Sequence, residues 1–305
     1  MAAILAAALM IGVRPSPAAA DPGFDVREVA NGVFVHFGRN LALDAPGHDD
    51  IANIGFVVGT RCVAVIDSGG SVRIGRALRA SIKQRTQVPI CFVINTHVHV
   101  DHVLGNAAFV SDRPRFVGHS GLRAAMTLSR DFFLKQYAND LDQPPSQDQI
   151  PGPDLLVDDT LDLDIGARHL SLKAWPEAHT NADLTVLDLA TGTLWAGDLL
   201  FRERLPALDG SAPGWLAVLD RFGTLNARLV IPGHGSMTAD IETALAAERY
   251  YLTALIEGVR GELKSGNSLQ HAIEQVAVAE KSKWLLWLET HPHNVARAYQ
   301  QLEWE

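Results

Sequence analysis

Asn95-Thr96-His97-Val98-His99-Val100-Asp101-His102 follows directly on the apolar run Ile90-Cys91-Phe92-Val93-Ile94. The run reads as a buried strand, and the polar stretch after it as the loop that such a strand holds in place. Three imidazoles and one carboxylate fall within six residues. On an extended chain, alternation sends His97, His99 and Asp101 to one side, with His102 displaced by the turn that follows. Nitrogen and oxygen donors in that arrangement suit a borderline divalent cation. A group of solvated loop residues is the plain alternative. Four metal-capable groups in H-x-H-x-D-H spacing argue against it and for a metal site.

Working outward, residues 29–37 read as a strand with Asn31-Gly32 as an internal turn, and residues 39–50 as an exposed loop. Residues 53–58 and 62–66 read as a hairpin of two buried strands joined by Gly59-Thr60-Arg61. Asp67-Ser68-Gly69-Gly70 then turns the chain into a helix over residues 71–87, with Val72, Ile74, Leu78 and Ile82 along one face. Beyond the polar stretch come a short helix at 105–110, a short strand at 115–117 and a longer amphipathic helix over 121–141. Residues 143–153 hold four prolines and read as a loop. Alternation over 155–163 and 169–174 marks the start of an antiparallel section, followed by a hairpin of 184–189 with 193–195. A helix at 215–225, a strand at 229–231 and an almost wholly helical stretch from 239 to 305 complete the chain. Two mixed sheets packed face to face, with helices outside, satisfy this α/β order.

Three later segments repeat one format, an apolar strand stopping at a polar turn: Trp175-Pro176-Glu177-Ala178-His179-Thr180-Asn181-Ala182-Asp183, Leu194-Trp195-Ala196-Gly197-Asp198, and Val230-Ile231-Pro232-Gly233-His234-Gly235. A single His or Asp in a turn is usually structural. Together with the first cluster, however, these supply seven ligands, enough for two metal ions. Gly197 and Gly233 would let the backbone approach a crowded centre.

His97-Val98-His99-Val100-Asp101-His102, with His179, Asp198 and His234 in these contexts, resembles the metallo-β-lactamase superfamily over residues 29–235. The resemblance implies an αβ/βα four-layer sandwich of two mixed β-sheets with outer helices and the metals at one edge. It implies that His97, His99 and His179 hold one zinc, that Asp101, His102 and His234 hold the second, and that Asp198 bridges them. Iron or manganese are the other metals such a set accepts. The chain has Asp198 where the commonest zinc β-lactamases have a Cys, and its motif ends in His102 rather than Cys. The wider hydrolase branch that includes glyoxalase II has such a bridging Asp. Asp50-Ile51-Ala52-Asn53-Ile54-Gly55-Phe56, Gly197-Asp198-Leu199-Leu200-Phe201, Leu208-Asp209-Gly210-Ser211 and Leu302-Glu303-Trp304-Glu305 resemble the exported quinoprotein relay system zinc metallohydrolases. That likeness implies a functional link to a quinoprotein dehydrogenase and leaves the substrate open.

Two cations ~3.5–4 Å apart can share a hydroxide and lower the pKa of water from 15.7 toward ~7. Such a hydroxide attacks a carbonyl, phosphoryl or sulfuryl centre, and the expected substrate is a small ester, thioester, amide or lactam. The catalytic residues that the resemblance implies are Asp101, which orients the nucleophile as well as binding metal, and Asp198. Asp67 and Asp183 are candidate acceptors for ligand imidazole N–H groups, against turn capping for Asp67 and a strand-entry Asx turn for Asp183 as the plainer roles. Arg202 and Arg204, just past Asp198, are candidates to hold a substrate carboxylate, against a solvated surface pair. His119, His291 and His293 read as helix-terminus or surface residues. Trp284, Trp287 and Trp304 read as packing for the terminal helices.

The composition of the 305 residues, 47% hydrophobic and 20% charged, is that of a soluble globular protein. The formal charge of -9 argues against nucleic acid or an anionic membrane as partner, and so against a nuclease. Residues 2–13 are an apolar run followed by Arg14-Pro15-Ser16-Pro17 and Ala18-Ala19-Ala20-Asp21, which reads as a signal peptide cleaved after Ala20. At about 12 residues the run is shorter than the ~20 needed to span a bilayer, so no stable membrane insertion is expected. The division expected is therefore a signal peptide at 1–20, a hydrolase domain at 21–240 and a helical extension packed on it at 241–305, with the mature protein periplasmic. Cys62 and Cys91 could bridge in an exported protein, but cysteines at strand starts read first as small buried hydrophobes. A β-lactamase proper is the nearest alternative function, and a non-hydrolytic metal-binding partner of a dehydrogenase is the alternative from another class.

Overall fold

The structure, a computed structural model, describes residues 24–304. The expected signal peptide at 1–20 lies outside the described residues.

Seven strands form the first sheet in chain order: β1 (Arg27–Ala30), β2 (Val33–His36), β3 (Ile54–Val58), β4 (Val63–Ile66), β5 (Ile90–Ile94), β6 (Arg115–His119) and β7 (Leu155–Val157). The pairings β1–β2, β2–β3 and β3–β4 are antiparallel, and the next three are parallel. The switch comes where a helix, α1 (Val72–Arg85), carries the chain from β4 to β5, as parallel neighbours require. Ser71 starts that helix by accepting the Ile74 N–H. The second sheet holds β8 (Thr160–Asp164), β9 (His169–Ala174), β10 (Leu184–Asp188), β11 (Thr193–Phe201) and β12 (Leu229–His234) in the order β12-β11-β10-β9-β8. Its one parallel pairing is β11–β12.

The apolar faces explain the layers. Val33, Val57, Ile66 and Ile94 of the first sheet meet Leu172, Val186, Trp195 and Ile231 of the second in a buried inter-sheet core. The opposite face of the first sheet presents Phe56, Val65, Ile90 and Val93 to Ile74, Leu78 and Ile82 of α1. Leu194, Leu200 and Val230 of the second sheet pack against α4 (Ala212–Phe222), α5 (Ile241–Lys264) and α7 (Trp287–Leu302) through Trp215, Leu252, Leu255 and Val295. The result is the expected four-layer αβ/βα sandwich with a helical C-terminal extension, which includes the short α6 (Leu269–Gln275). Two further helices, the four-residue α2 (Val100–Val103) and α3 (Leu122–Gln136), lie at the sheet edge that carries the polar stretch. No described helix is long and apolar enough to cross a membrane.

Three local expectations need correction. The alternation over 155–163 is not one antiparallel unit: β7 pairs parallel with β6, and Asp158-Asp159 is the turn that carries the chain to the second sheet. The helix expected over 121–141 stops at Gln136, because Tyr137 leaves helical geometry (φ -112, ψ 29) and residues 138–140 form a tighter turn. Cys62 and Cys91, read as separate hydrophobes, form a disulfide. Parallel pairing of β4 with β5 puts their Cα atoms 5.5 Å apart, within reach of a bridge.

Candidate metal centre

Strand ends supply most of the site. His97 and His99 lie in the loop after β5, Asp101 and His102 on α2, and His179 between β9 and β10. Asp198 sits within β11 and His234 is the last residue of β12. The candidate ligand atoms of His97, His99, His179 and Asp198 all lie within 4.8 Å of one another, as do those of Asp101, His102 and His234. Asp198 joins the groups: its Oδ2 is 3.5 Å from His179 Nε2 and 3.2 Å from His234 Nε2, and its Oδ1 is 3.2 Å from His102 Nε2.

Proton accounting shows what this cluster suits. A neutral imidazole has one N–H. Each of the five rings has an outward acceptor for it. His97 Nδ1 faces Thr96 Oγ1 at 3.0 Å, and that hydroxyl itself donates to Asp67. His99 Nε2 faces Asp209 at 2.6 Å, His102 Nδ1 faces Asp67 at 2.8 Å, His179 Nδ1 faces the Ala207 carbonyl at 2.7 Å, and His234 Nδ1 faces the Ile51 carbonyl at 2.8 Å. With the rings in the neutral form that ligation requires and those protons spent outward, five inward nitrogens are bare acceptors aimed at two carboxylates. His99 Nδ1 stands only 3.1 Å from His97 Nε2 and 3.0 Å from His179 Nε2. Buried His102 Nε2 and Asp198 Oδ1 have no hydrogen-bond partner of proper geometry. Converging lone pairs in a desolvated site repel unless cations lie between them, so the donor set fits two metal ions.

The electrostatics divide the rings. Burial pushes the His97 imidazole well below its ordinary value and takes His179 down to about 4, so both favour the neutral, ligating form. At His102 burial opposes the charge, but Asp198, Asp101 and Asp67 outweigh it and hold the imidazole well above the usual range, and Asp209 raises His99 likewise, so at His102 a metal ion would take the place of a second, inward proton. Asp198 is buried too, and His234, His102 and His97 more than offset that cost, keeping it ionised.

Glycine allows the crowding. A Cβ on Gly233 would stand 1.8 Å from Asp198 Oδ1, and one on Gly197, itself at φ +54, would stand 2.7 Å from Thr96 Cβ. Asn53, 2% exposed, ties the β12 turn to the first sheet. Its side chain donates to the Pro232 and Gly235 carbonyls at 2.9 and 2.8 Å.

Among the expected supporting residues, Asp67 lies where an imidazole acceptor should. Asp183 does not: its carboxylate is taken up by the Thr180 N–H and hydroxyl in a turn at the entry to β10. Arg202 is also displaced from its expected role, because its guanidinium donates to Ser236 and the Met237 carbonyl, away from the centre. Arg204 is buried and lines the cleft over Asp101 and Asp198. His119 accepts the Gly121 N–H at the start of α3, and His291 is buried against Trp287. Trp284 and Trp287 pack in the extension, whereas Trp304 is 86% exposed. The roles of Asp209 and His293 go beyond what the sequence suggests. Asp209 accepts from both His99 and His293, and its only sign in the sequence is its place in Leu208-Asp209-Gly210-Ser211.

A cleft of about 530 Å³ opens over the cluster. Phe132, Phe133 and Tyr137, on or just after α3, make an apolar wall with Leu43 and Leu286; Asp101, Asp198 and His234 form the floor.

A family model described as "Metallo-beta-lactamase superfamily" matches residues 48–234, more than half of the chain. The chain belongs to the metallo-beta-lactamase superfamily. Solved structures similar to this superfamily member include the stereoselective inverting sec-alkylsulfatase Pisa1 from Pseudomonas sp., at TM-score 0.71 and 16% identity over 91% of this chain and 50% of that one. The chain thus spans half the length of that alkylsulfatase. A metallo-beta-lactamase from Pontibacter korlensis aligns at TM-score 0.60 and 18% identity over 75% of this chain and 99% of that one. A metallo-beta-lactamase family protein from Thermus thermophilus aligns at TM-score 0.64 and 19% identity, over 91% of this chain and 94% of that one. Identities this low show a shared fold. No curated protein sequence matches the chain.

Proposed function

We propose that the protein is an exported, dinuclear zinc-dependent hydrolase of small ester, thioester or amide substrates, acting in the periplasm. One observation carries the reading: seven donors, all but the half-buried His99 buried, converge in two groups that share Asp198, and the outer nitrogen of every imidazole faces an acceptor. We assign His97, His99 and His179 to one metal, Asp101, His102 and His234 to the other, and Asp198 to both. When bound, the metals supply an acidified water and Lewis-acid polarisation of the scissile group. Asp101, at the cleft floor, orients the attacking water. Arg204, buried beside Asp101 and Asp198, holds an anionic part of the substrate or the charge that develops on it. The apolar wall takes the substrate's hydrocarbon part and excludes water from the floor.

The Cys62–Cys91 disulfide supports export, since such bridges persist in oxidising compartments. The motifs shared with quinoprotein relay system zinc metallohydrolases support placing the protein in that branch, functionally linked to a quinoprotein dehydrogenase. The three-imidazole group supports zinc, with iron or manganese as competing occupants.

The test is a hydrolysis screen of metal-quantified protein against carboxylic esters, thioesters, β-lactams, lactones, phosphodiesters and alkyl sulfates. Turnover of an acyl substrate, lost on chelation and restored by zinc, is the expected result. Turnover confined to alkyl sulfates would move the reading to the sulfuryl centre. No turnover of any class by the zinc-loaded protein would overturn it.

A further inference from the structure

Helix α7 lies outside residues 48–234, the region the family model matches, yet it reaches the metal centre through the loop at 205–211. That loop orients two imidazoles of the same group. Its Ala207 carbonyl accepts from His179 Nδ1 at 2.7 Å, and its Asp209 carboxylate accepts from His99 Nε2 at 2.6 Å. The Asp209 and Gly210 N–H groups also donate to the His179 carbonyl, at 3.1 and 2.6 Å.

Residues of α7 hold the loop in turn. Asn294, fully buried, donates to the Pro206 carbonyl at 2.7 Å and accepts the Leu208 N–H at 2.9 Å. His293 Nε2 lies 2.8 Å from Asp209 Oδ1 and 3.1 Å from the Leu208 carbonyl. Gln301 donates to the Gly210 carbonyl. Asn294 is itself anchored by the Tyr251 hydroxyl of α5 at 2.9 Å. The other group is braced elsewhere: His102 leans on Asp67 after β4, and His234 on the Ile51 carbonyl before β3.

We propose that α7 is a positioning element for one of the two metal subsites. Through Asn294 and His293 it sets the affinity of the His97/His99/His179 group for its metal, and it leaves the Asp101/His102/His234 group unaffected. The inference rests on the proposed assignment of these residues as metal ligands. Its physical basis is that a ligating imidazole keeps its aim and basicity only while its outer N–H has a fixed acceptor. Loss of such a partner lowers metal affinity about 10–100-fold. Removing the Asn294 amide unpairs a buried carbonyl and a buried N–H, so the loop that carries both acceptors relaxes.

The experiment uses full-length, metal-stripped protein titrated with zinc against a chromophoric chelator, which yields two stepwise dissociation constants. Anomalous diffraction from crystals at partial loading identifies which subsite empties. Asn294→Ala should weaken the His97/His99/His179 subsite by about 10–100-fold and leave the other unchanged. His293→Ala removes a half-exposed side chain without opening the core, and should weaken the same subsite by roughly 10-fold. Tyr299→Phe, on the same helix but bonded to the Asn267 carbonyl 2.9 Å away, should change neither. If Asn294→Ala does not fold, His293→Ala decides. Equal weakening of both subsites, or of neither, would overturn the role of α7 while the dinuclear reading stands. Wild-type protein that binds no zinc would overturn both.

Discussion

Asp67→Asn is the substitution that tests the bracing of His102 most directly. Asp67 is 1% exposed and spends its carboxylate on three donors: the Thr96 N–H, the Thr96 hydroxyl and His102 Nδ1, each at 2.8 Å. It sits at φ 53, a conformation asparagine adopts readily, so the backbone tolerates the change. The amide oxygen can still accept the Thr96 N–H. The amide nitrogen, however, takes the place of the oxygen that faced His102, and two donors then meet. The imidazole answers by moving its proton to Nε2, the atom that faces Asp198 and the metal position. Reversing an outer partner in this way should lower affinity at the Asp101/His102/His234 subsite by about 10–100-fold, or roughly 1.4–2.7 kcal/mol. Metal-free protein should also lose about 1.5–3 kcal/mol of stability with the charged hydrogen bond. Stepwise zinc titration reads the first effect and urea unfolding the second, while imidazole nitrogen NMR reports the tautomer. Unchanged zinc affinity at both subsites, with His102 still protonated at Nδ1, would refute the reasoning.

Gly233→Ala places a methyl group where Asp198 Oδ1 now lies, 1.8 Å away, so the carboxylate must turn out of the site. We expect bound zinc to fall below two per chain in metal analysis, with hydrolysis lost. Asn53→Ala unpairs the Pro232 and Gly235 carbonyls and should cost about 2–4 kcal/mol in denaturant unfolding. A variant with wild-type stability would show that the β12 turn is held by other bonds. The Cys62–Cys91 bridge closes a segment with a sequence separation of 29, which should constrain the unfolded chain by about 3.5 kcal/mol. Urea curves that coincide with and without reductant would contradict that figure.

How legible the molecule is from sequence depends on where each interaction originates. The layers were readable because the apolar runs at 53–58, 62–66 and 184–189 and the turns between them are strong, local signals. The seven converging side chains were readable because their residue types cluster in short polar motifs directly after or within apolar strand runs, although Asp198 proves to lie inside β11, which continues to Phe201. Residues whose partners come from distant elements were not. Asp209 acquires its role only when the loop after β11 folds over His99, and Asn294 only when the extension docks on that loop. Asp183 and Arg202 misled for the converse reason: proximity in sequence to a candidate ligand says nothing about the backbone groups that claim the side chain first. The cysteines were placed correctly beside strands, but their pairing depends on β4 and β5 being neighbours, which is a matter of topology.

The central claim is that Asp198 joins two metals in a hydrolytic centre. Metal analysis of wild-type and Asp198→Ala protein, purified in parallel and assayed on the same substrate, tests it most directly. We predict about two zinc ions per chain in the wild type, and fewer than two with no metal-dependent hydrolysis in the variant. Wild-type metal content and near-wild-type turnover in Asp198→Ala would contradict the account.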